Sequence, residues 1–264
     1  MNISVIGAGN MGGATAHGLL KSNTCQAKEL CISDPSSQKL QPFDCIGVHT
    51  FTDNKEAIKG ADVIMVFVKP WLVETILREI RPVLDYNHQI LVIIAAGIKS
   101  DEVKTWLENE EKMIPSFFLA IPNIAISQCS SMTFIVPAKA EKEQTALIRS
   151  IFDGMGRSII VEERLLAAGT TLASCGLAYA MRYVRAASEG GVELGFYPDD
   201  AKDIVLQTVK GAIELLQANG NHPEAEIDKV TTPGGVTIRG LNEMENAGFT
   251  SAVIRGLKAG LKTT

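Results

Sequence analysis

The stretch Ile3-Ser4-Val5-Ile6-Gly7-Ala8-Gly9-Asn10-Met11-Gly12 decides how this chain is read. Four residues suited to a buried strand run into three glycines spaced GxGxxG, and a helical pattern from Asn10 to about Leu20 follows at once. Strand, glycine turn and helix in that order are the context a dinucleotide fingerprint demands. Gly7 makes the tight turn, Gly9 lets backbone approach a pyrophosphate, and Gly12 lets helix and sheet pack closely. The pyrophosphate then rests on the helix N-terminus, where unbonded N–H groups and the dipole favour negative charge. On this reading Gly7, Ala8, Gly9, Asn10, Met11 and Gly12 hold a cofactor; the alternative is a glycine-rich turn without a ligand.

Outward from that stretch, short β-branched runs alternate with helical patterns. Strands are expected at 30–33, 48–51, 63–68 and 90–94, then at 113–119, 132–136 and 158–161, with a helix over about 72–83. Continuous apolar runs of this length suit strands covered on both faces, and the alternation makes the sheet parallel and doubly wound. After Val161 the pattern changes. Leu165, Leu166, Leu172, Leu177, Met181 and Val184 recur at helical spacing among alanines, and 162–196 contains no proline. A helix apolar on most sides belongs in a core or a subunit interface. Another helix is expected from Pro198 to Asn219-Gly220, and two shorter ones close the chain. The fold class is α/β: a dinucleotide-binding domain over 1–161 and an all-helical domain over 162–264.

In such a sheet, loops leaving the carboxyl ends of the strands line one crevice. Asp34 ends the second strand about 20 residues beyond the glycines, where a carboxylate reaches ribose hydroxyls and repels a 2′-phosphate. Ser33, Ser36, Ser37 and Lys39 lie beside it and suit a phosphate, so NADH and NADPH both stay open. The structural alternative for Asp34 is a helix N-cap beside Pro35. Val68-Lys69-Pro70 and Ala95-Ala96-Gly97 follow later strands with small residues or a proline, which lets backbone approach a nicotinamide ring. Lys69 reads as a catalytic base, a phosphate contact, or a lysine snorkelling at a strand end.

A second candidate site is Thr231-Thr232-Pro233-Gly234-Gly235-Val236-Thr237. Pro-Gly-Gly makes a turn, and the amides after it open a helix. Successive amides at such a turn form an anion-holding concavity, to which three threonine hydroxyls add donors. A small carboxylate fits there, and Thr237 can hydrogen-bond a neighbouring group of the same ligand. The alternative is a helix-connecting turn with a threonine cap.

The composition sets limits. At 264 residues, 46% apolar and 21% charged, the chain is globular, large enough for two domains, and in need of no disulfide or metal staple. Lys and Arg number 25 against 30 Asp and Glu, a net charge of −5, and no basic run exceeds two residues, so nucleic acid is not an expected partner. The longest apolar stretch falls far short of the ~20 residues that span a bilayer, and the first residues carry no basic segment. No membrane association and a cytoplasmic location are expected. Five cysteines and four histidines are scattered without metal-ligand spacing, so no metal is expected and the thiols read as reduced core filler. Glu162-Glu163-Arg164 stays open, because it falls at the domain junction.

These residues, in order, resemble the pyrroline-5-carboxylate reductase family, which catalyses the last step of proline synthesis. The resemblance takes in Gly7 to Gly12, Asn54, Val68-Lys69-Pro70, Ala95-Ala96-Gly97, Pro122-Asn123, Ala173 to Tyr179, Glu193 to Gly195, Gln207-Thr208 with Gly211, and Val230 to Thr237. It implies a Rossmann-type N-terminal domain and a C-terminal helical domain that interlocks between subunits, making a homo-oligomer built on a dimer. It further implies that Thr232, Gly234, Gly235 and Val236 hold the substrate carboxylate and that Thr237 bonds the ring nitrogen. Cofactor contacts would come from Asn54, Val68, Lys69, Pro70, Ala95, Ala96, Gly97 and Asn123, beside Ser33 and Asp34. Two segments depart from the family pattern: Ile121-Pro122-Asn123-Ile124-Ala125-Ile126 stands for Met-Pro-Asn-Thr-Pro-Ala, and Ala173-Ser174-Cys175-Gly176-Leu177 for Ser-Gly-Ser-Gly-Pro.

The implied reaction is hydride transfer from NADPH or NADH to the cyclic imine L-1-pyrroline-5-carboxylate, giving L-proline. A protonated imine is already an electrophile, so holding it against the cofactor and stabilising its nitrogen is a task of proximity and electrostatics. Thr237 would orient the nitrogen. Two other readings stay open: a related reductase of another cyclic imine or keto acid, with Lys69 catalytic, and a catalytically silent regulatory homologue that binds the cofactor.

Overall fold

The strands form where the apolar runs lie. In the computed structural model, which describes residues 1–261, they are β1 (Ile3–Ile6), β2 (Leu30–Ser33), β3 (His49–Phe51), β4 (Val63–Val66), β5 (Ile90–Ile93), β6 (Ser116–Ile121), β7 (Ser131–Lys139) and β8 (Gly156–Ile160). One sheet holds them in the order β3-β2-β1-β4-β5-β6-β7-β8. All pairs are parallel except β6 with β7. The order reverses between β1 and β4, and open α/β sheets take ligands at such a switch point, beyond the carboxyl ends of the strands.

Helices α1 (Asn10–Lys21), α2 (Ser37–Asp44), α3 (Asn54–Ala57), α4 (Pro70–Ile80), α5 (Ser100–Leu107) and α6 (Lys142–Gly154) connect the strands. Successive strand residues point to opposite faces. Val63 and Met65 therefore join one core with Leu19 of α1, Phe43 of α2 and Phe152 of α6, while Ile64 and Val66 join the other with Leu77 of α4 and Val103 of α5. That two-sided burial is why these strands read as unbroken apolar runs.

Several boundaries differ from the sequence reading. β4 ends at Val66 and the next helix begins at Pro70, not near residue 72, because proline's fixed φ and missing N–H suit the first helical position. β7 runs on through Pro137, which lies past Ile135, the last residue paired with β8, and beside a bulge against Phe117 and Phe118. A proline is tolerated where the ladder is already interrupted.

The expected helix over 162–196 is broken into pieces. A 3₁₀ turn at Glu163–Leu165 leads to α7 (Leu166–Gly169), a π-helical turn at Thr170–Cys175, and α8 (Gly176–Glu193). Gly169 lies so close to the Phe134 ring that a Cβ would stand 2.8 Å from it. The Ser174 hydroxyl donates to the Pro122 carbonyl at 3.2 Å. Contacts with the sheet thus change the pitch of a run whose periodicity alone is helical. They also hold it to the sheet unit, so the two compact units are 1–174 and the residues from Cys175 onward, rather than parting at Val161.

The second unit contains α8, α9 (Pro198–Asn219), α10 (Pro223–Lys229), α11 (Val236–Asn246) and α12 (Phe249–Ala259). α8 and α9 meet at small residues, where a Cβ on Gly191 would be 3.0 Å from that of Ala201. Ala201 is the one buried residue from Cys175 onward among the described residues. Leu172, just before this unit, and Met181 on α8 are each more than 60% exposed. No described helix is long and apolar enough to cross a membrane.

Candidate active site

Register brings the loops together. Ile6 pairs with Ser33 on one side and Val66 on the other, Val66 with Ile93, and Ile93 with Leu119. The residues following β1, β2, β4, β5 and β6 therefore leave the sheet at one edge. That edge collects Gly7–Gly12, Ser33, Asp34, Val68–Pro70, Ala95–Gly97 and Asn123.

The glycine turn is shaped for a backbone-bound anion. Gly7 sits at φ +100°, and a Cβ there would overlap the Phe67 carbonyl oxygen; a Cβ on Gly12 would overlap the Gly7 carbonyl oxygen. Gly9 caps α1 with open space on its Cβ side. No side chain caps α1 and no acid lies in its first turn. The first N–H groups of a helix have no intrahelical partner, so the cradle fits a pyrophosphate.

Asp34 is 6% exposed and bonded on all sides. Its Oδ2 accepts from the Ala8 N–H at 3.0 Å and its Oδ1 from the Ser36 N–H at 2.9 Å, while Lys39 Nζ donates to both oxygens at 3.2–3.3 Å. The residue capping α2 is Ser36, which corrects the N-cap reading of Asp34. Ser33 Oγ donates to Asn54 Oδ1 at 2.8 Å, so Asn54, the first residue of α3, joins the same edge. The Asn54 amide donates in turn to the Glu79 carboxylate at 3.3 Å. Sequence reasoning missed Glu79: a glutamate late in an amphipathic helix looks like any solvated charge, and only the fold aims it at Asn54.

Lys69 precedes α4 in extended conformation, and its exposed ammonium has no hydrogen-bond or ion-pair partner among the described residues. Gly97 turns the loop after β5 at φ +81°. The far end of that loop is fixed by Glu163, whose carboxylate accepts from the Ser100 N–H at 2.8 Å and from its hydroxyl at 2.5 Å. Glu163, left open in the sequence, thus caps α5. Asn123 is buried and largely turned inward: its Oδ1 accepts from the Ala125 N–H at 3.1 Å and its amide donates to the Ala173 carbonyl at 3.4 Å.

The second unit carries its own turn. α10 ends at Lys229, Gly234 takes φ +70°, and the Gly235 N–H donates to the Thr232 carbonyl at 2.9 Å. A Cβ on Gly235 would press on Thr232 Oγ1. Gly235 then caps α11 without a side-chain bond, and no acid lies in the first turn. Val236 and Thr237 are the first two helical residues, and the hydroxyls of Thr232 and Thr237 engage no described residue. Backbone donors and unengaged hydroxyls with no competing acid suit a carboxylate. Among the described residues no cluster of His, Cys, Asp and Glu could hold a metal.

Comparison with known proteins gives these two parts names. Residues 2–97 match the family model "NADP oxidoreductase coenzyme F420-dependent", and residues 163–264 match "Pyrroline-5-carboxylate reductase dimerisation". Pyrroline-5-carboxylate reductase 2 of Dictyostelium discoideum is 35% identical over 97% of this chain and 89% of its own length. Reductase 1 of that organism is also 35% identical, and this chain spans about half of it, 48%. The solved structure of Plasmodium falciparum pyrroline carboxylate reductase with NADP bound shares the fold, with a TM-score of 0.88 over 99% of this chain and 96% of that one at 23% identity. Identity of 35% along most of a relative's length reaches beyond a shared fold: the chain belongs to the pyrroline-5-carboxylate reductase family.

Proposed function

We propose that this protein reduces L-1-pyrroline-5-carboxylate to L-proline with NADPH or NADH, the last step of proline biosynthesis. The observation that carries the reading is the pairing, in one family member, of two anion-shaped turns: Gly7–Gly12 ahead of α1 and Thr232–Thr237 ahead of α11. Bound NAD(P)H supplies the hydride that reduces the C=N bond. The chain's own residues bind and orient. The α1 N-terminus takes the pyrophosphate; Ser33, Asp34 and Asn54 shape the adenosine end; Val68-Lys69-Pro70, Ala95-Ala96-Gly97 and Asn123 wall the nicotinamide end. Thr232, Gly234, Gly235 and Val236 hold the substrate carboxylate, and Thr237 Oγ1 holds the ring nitrogen. Catalysis then rests on approach and on stabilising the nitrogen.

By function we divide the chain at Val161, giving cofactor binding to 1–161 and dimerisation and substrate binding to 162–264, although 162–174 packs with the sheet unit. The exposed apolar faces of the helical segment support an interlocked homodimer. Five unpaired cysteines and a soluble nicotinamide substrate support a cytoplasmic setting. A second reading, reduction of another cyclic imine or keto acid, is favoured by Ile124, a 43% exposed isoleucine where the family pattern has threonine.

The deciding experiment follows absorbance of the reduced nicotinamide with purified protein and pyrroline-5-carboxylate, once with NADH and once with NADPH. Rapid oxidation is expected. Binding of cofactor without oxidation of either would sink the reading in favour of a regulatory homologue, and turnover of other imines alone would favour the second.

A further inference from the structure

An acid at the end of β2 ordinarily reads ribose hydroxyls and turns a 2′-phosphate away. That role needs an accessible carboxylate with lone pairs to spare. Asp34 has neither. A carboxylate offers about four acceptor positions, and here Ala8 N–H, Ser36 N–H and two contacts from Lys39 Nζ occupy them. The charge that would repel a phosphate is matched by an ammonium 3.2 Å away.

Two tasks are thereby divided between two residues. Asp34, at 6% exposure, ties the second strand to the glycine turn through the Ala8 amide. Lys39 is the partner able to move: its side chain is 51% exposed on the first turn of α2, at the end of a flexible four-carbon stem. Beside it, the Ser36 and Ser37 hydroxyls engage no described residue, and the first turn of α2 holds no acid.

Resting on the dinucleotide reading above, we propose that Lys39 decides whether a 2′-phosphate is accepted. Its ammonium neutralises Asp34 and swings to the phosphate of NADPH, while Asp34 keeps its hold on the glycine turn. The protein takes NADPH despite an acid in the position that usually excludes it.

The test is calorimetric binding of NADPH, NADH, adenosine 2′,5′-bisphosphate and 5′-AMP to the full chain, to Lys39→Gln, and to Lys39→Gln with Asp34→Asn, with a melting curve for each to verify folding. Losing one charge-assisted contact and exposing an uncompensated carboxylate lowers the NADPH/NADH affinity ratio in Lys39→Gln by roughly tenfold or more. The bisphosphate/AMP ratio falls with it. Adding Asp34→Asn recovers the part of the loss that comes from the exposed charge, because the asparagine oxygen still accepts from Ala8 while the repelling charge is gone. Ratios left unchanged by Lys39→Gln overturn the proposal. Ratios that fall but do not recover with Asp34→Asn overturn the neutralising role of Lys39. Failure of the wild-type chain to bind any of the four is a different result: it removes the dinucleotide reading, and this proposal with it.

Discussion

In the proposed function Thr237 and Gly12 act in opposite ways, one through a hydroxyl and one through having no side chain. The Thr237 hydroxyl engages no described residue and stands at the second position of α11. Thr237→Ala removes one hydrogen-bond partner of the substrate nitrogen and lowers kcat/KM by roughly tenfold or more, while Thr237→Ser keeps most of it. Steady-state rates at saturating cofactor check this, and an alanine variant as fast as wild type would remove the assigned role. Gly12→Ala forces a methyl into the Gly7 carbonyl. Overpacking strain of about 1–3 kcal/mol falls on the pyrophosphate turn, so cofactor affinity measured by calorimetry drops by roughly tenfold or more. A thiol reagent offers a third check: burial pushes the Cys25 thiol up to about 11, whereas Cys45 is exposed, so mass spectrometry finds Cys45 labelled first and Cys25 last. At this scale the glycines were fully legible, because their spacing is itself the geometry. Asp34 was half legible: its position at the strand end was plain, but its bonds to Ala8 and Lys39 depend on which way a carboxylate turns. Glu79 left no trace in the sequence at all.

Elements were legible where local pattern and packing agree, and illegible where a distant contact intervenes. β1, β2, β4 and β5 appear within a residue or two because two-sided burial writes an unbroken apolar run, whereas β6 starts three residues later than expected and β7 ends three residues later. The helix expected over 162–196 fails because Gly169 against Phe134 and Ser174 against Pro122 are contacts with the sheet, invisible to periodicity. The start of α5 shows the same dependence. Its first N–H is satisfied by Glu163, far along the chain, which also pins the loop Ala95–Gly97 at its outer end. Glu163→Ala removes a charged acceptor from a helix start and costs about 1–3 kcal/mol, read as a lower urea midpoint with unchanged slope. Glu163→Gln, which keeps an acceptor oxygen, loses less. If alanine and glutamine leave the midpoint where it was, the cap contributes nothing and the pinning of the loop must be abandoned.

At the scale of the whole molecule, the two units differ in how they could be stable. The sheet unit has a core on each face, whereas from Cys175 onward Ala201 is the one buried residue among those described. Helices of 18 and 22 residues with apolar stripes left at the surface gain little from hydrogen bonds alone, since helical stability in water comes mostly from burying such a stripe. The sequence already said as much: a segment apolar on most sides and free of proline needs something to cover it. What it did not reveal is how little of that cover the second unit supplies by itself. If a second copy supplies it, folding and association are linked, and melting temperature rises with protein concentration. Met181, 62% exposed on α8, is the place to break the link, because a carboxylate placed there against an apolar surface gives up its hydration. Sedimentation equilibrium is expected to show wild type as a dimer or larger and Met181→Asp shifted to monomer, with a lower melting temperature that no longer depends on concentration. A wild-type chain that sediments as a monomer and melts at one temperature across a hundredfold range of concentration would mean the helical unit is covered in some other way, and the interlocked dimer would have to be given up.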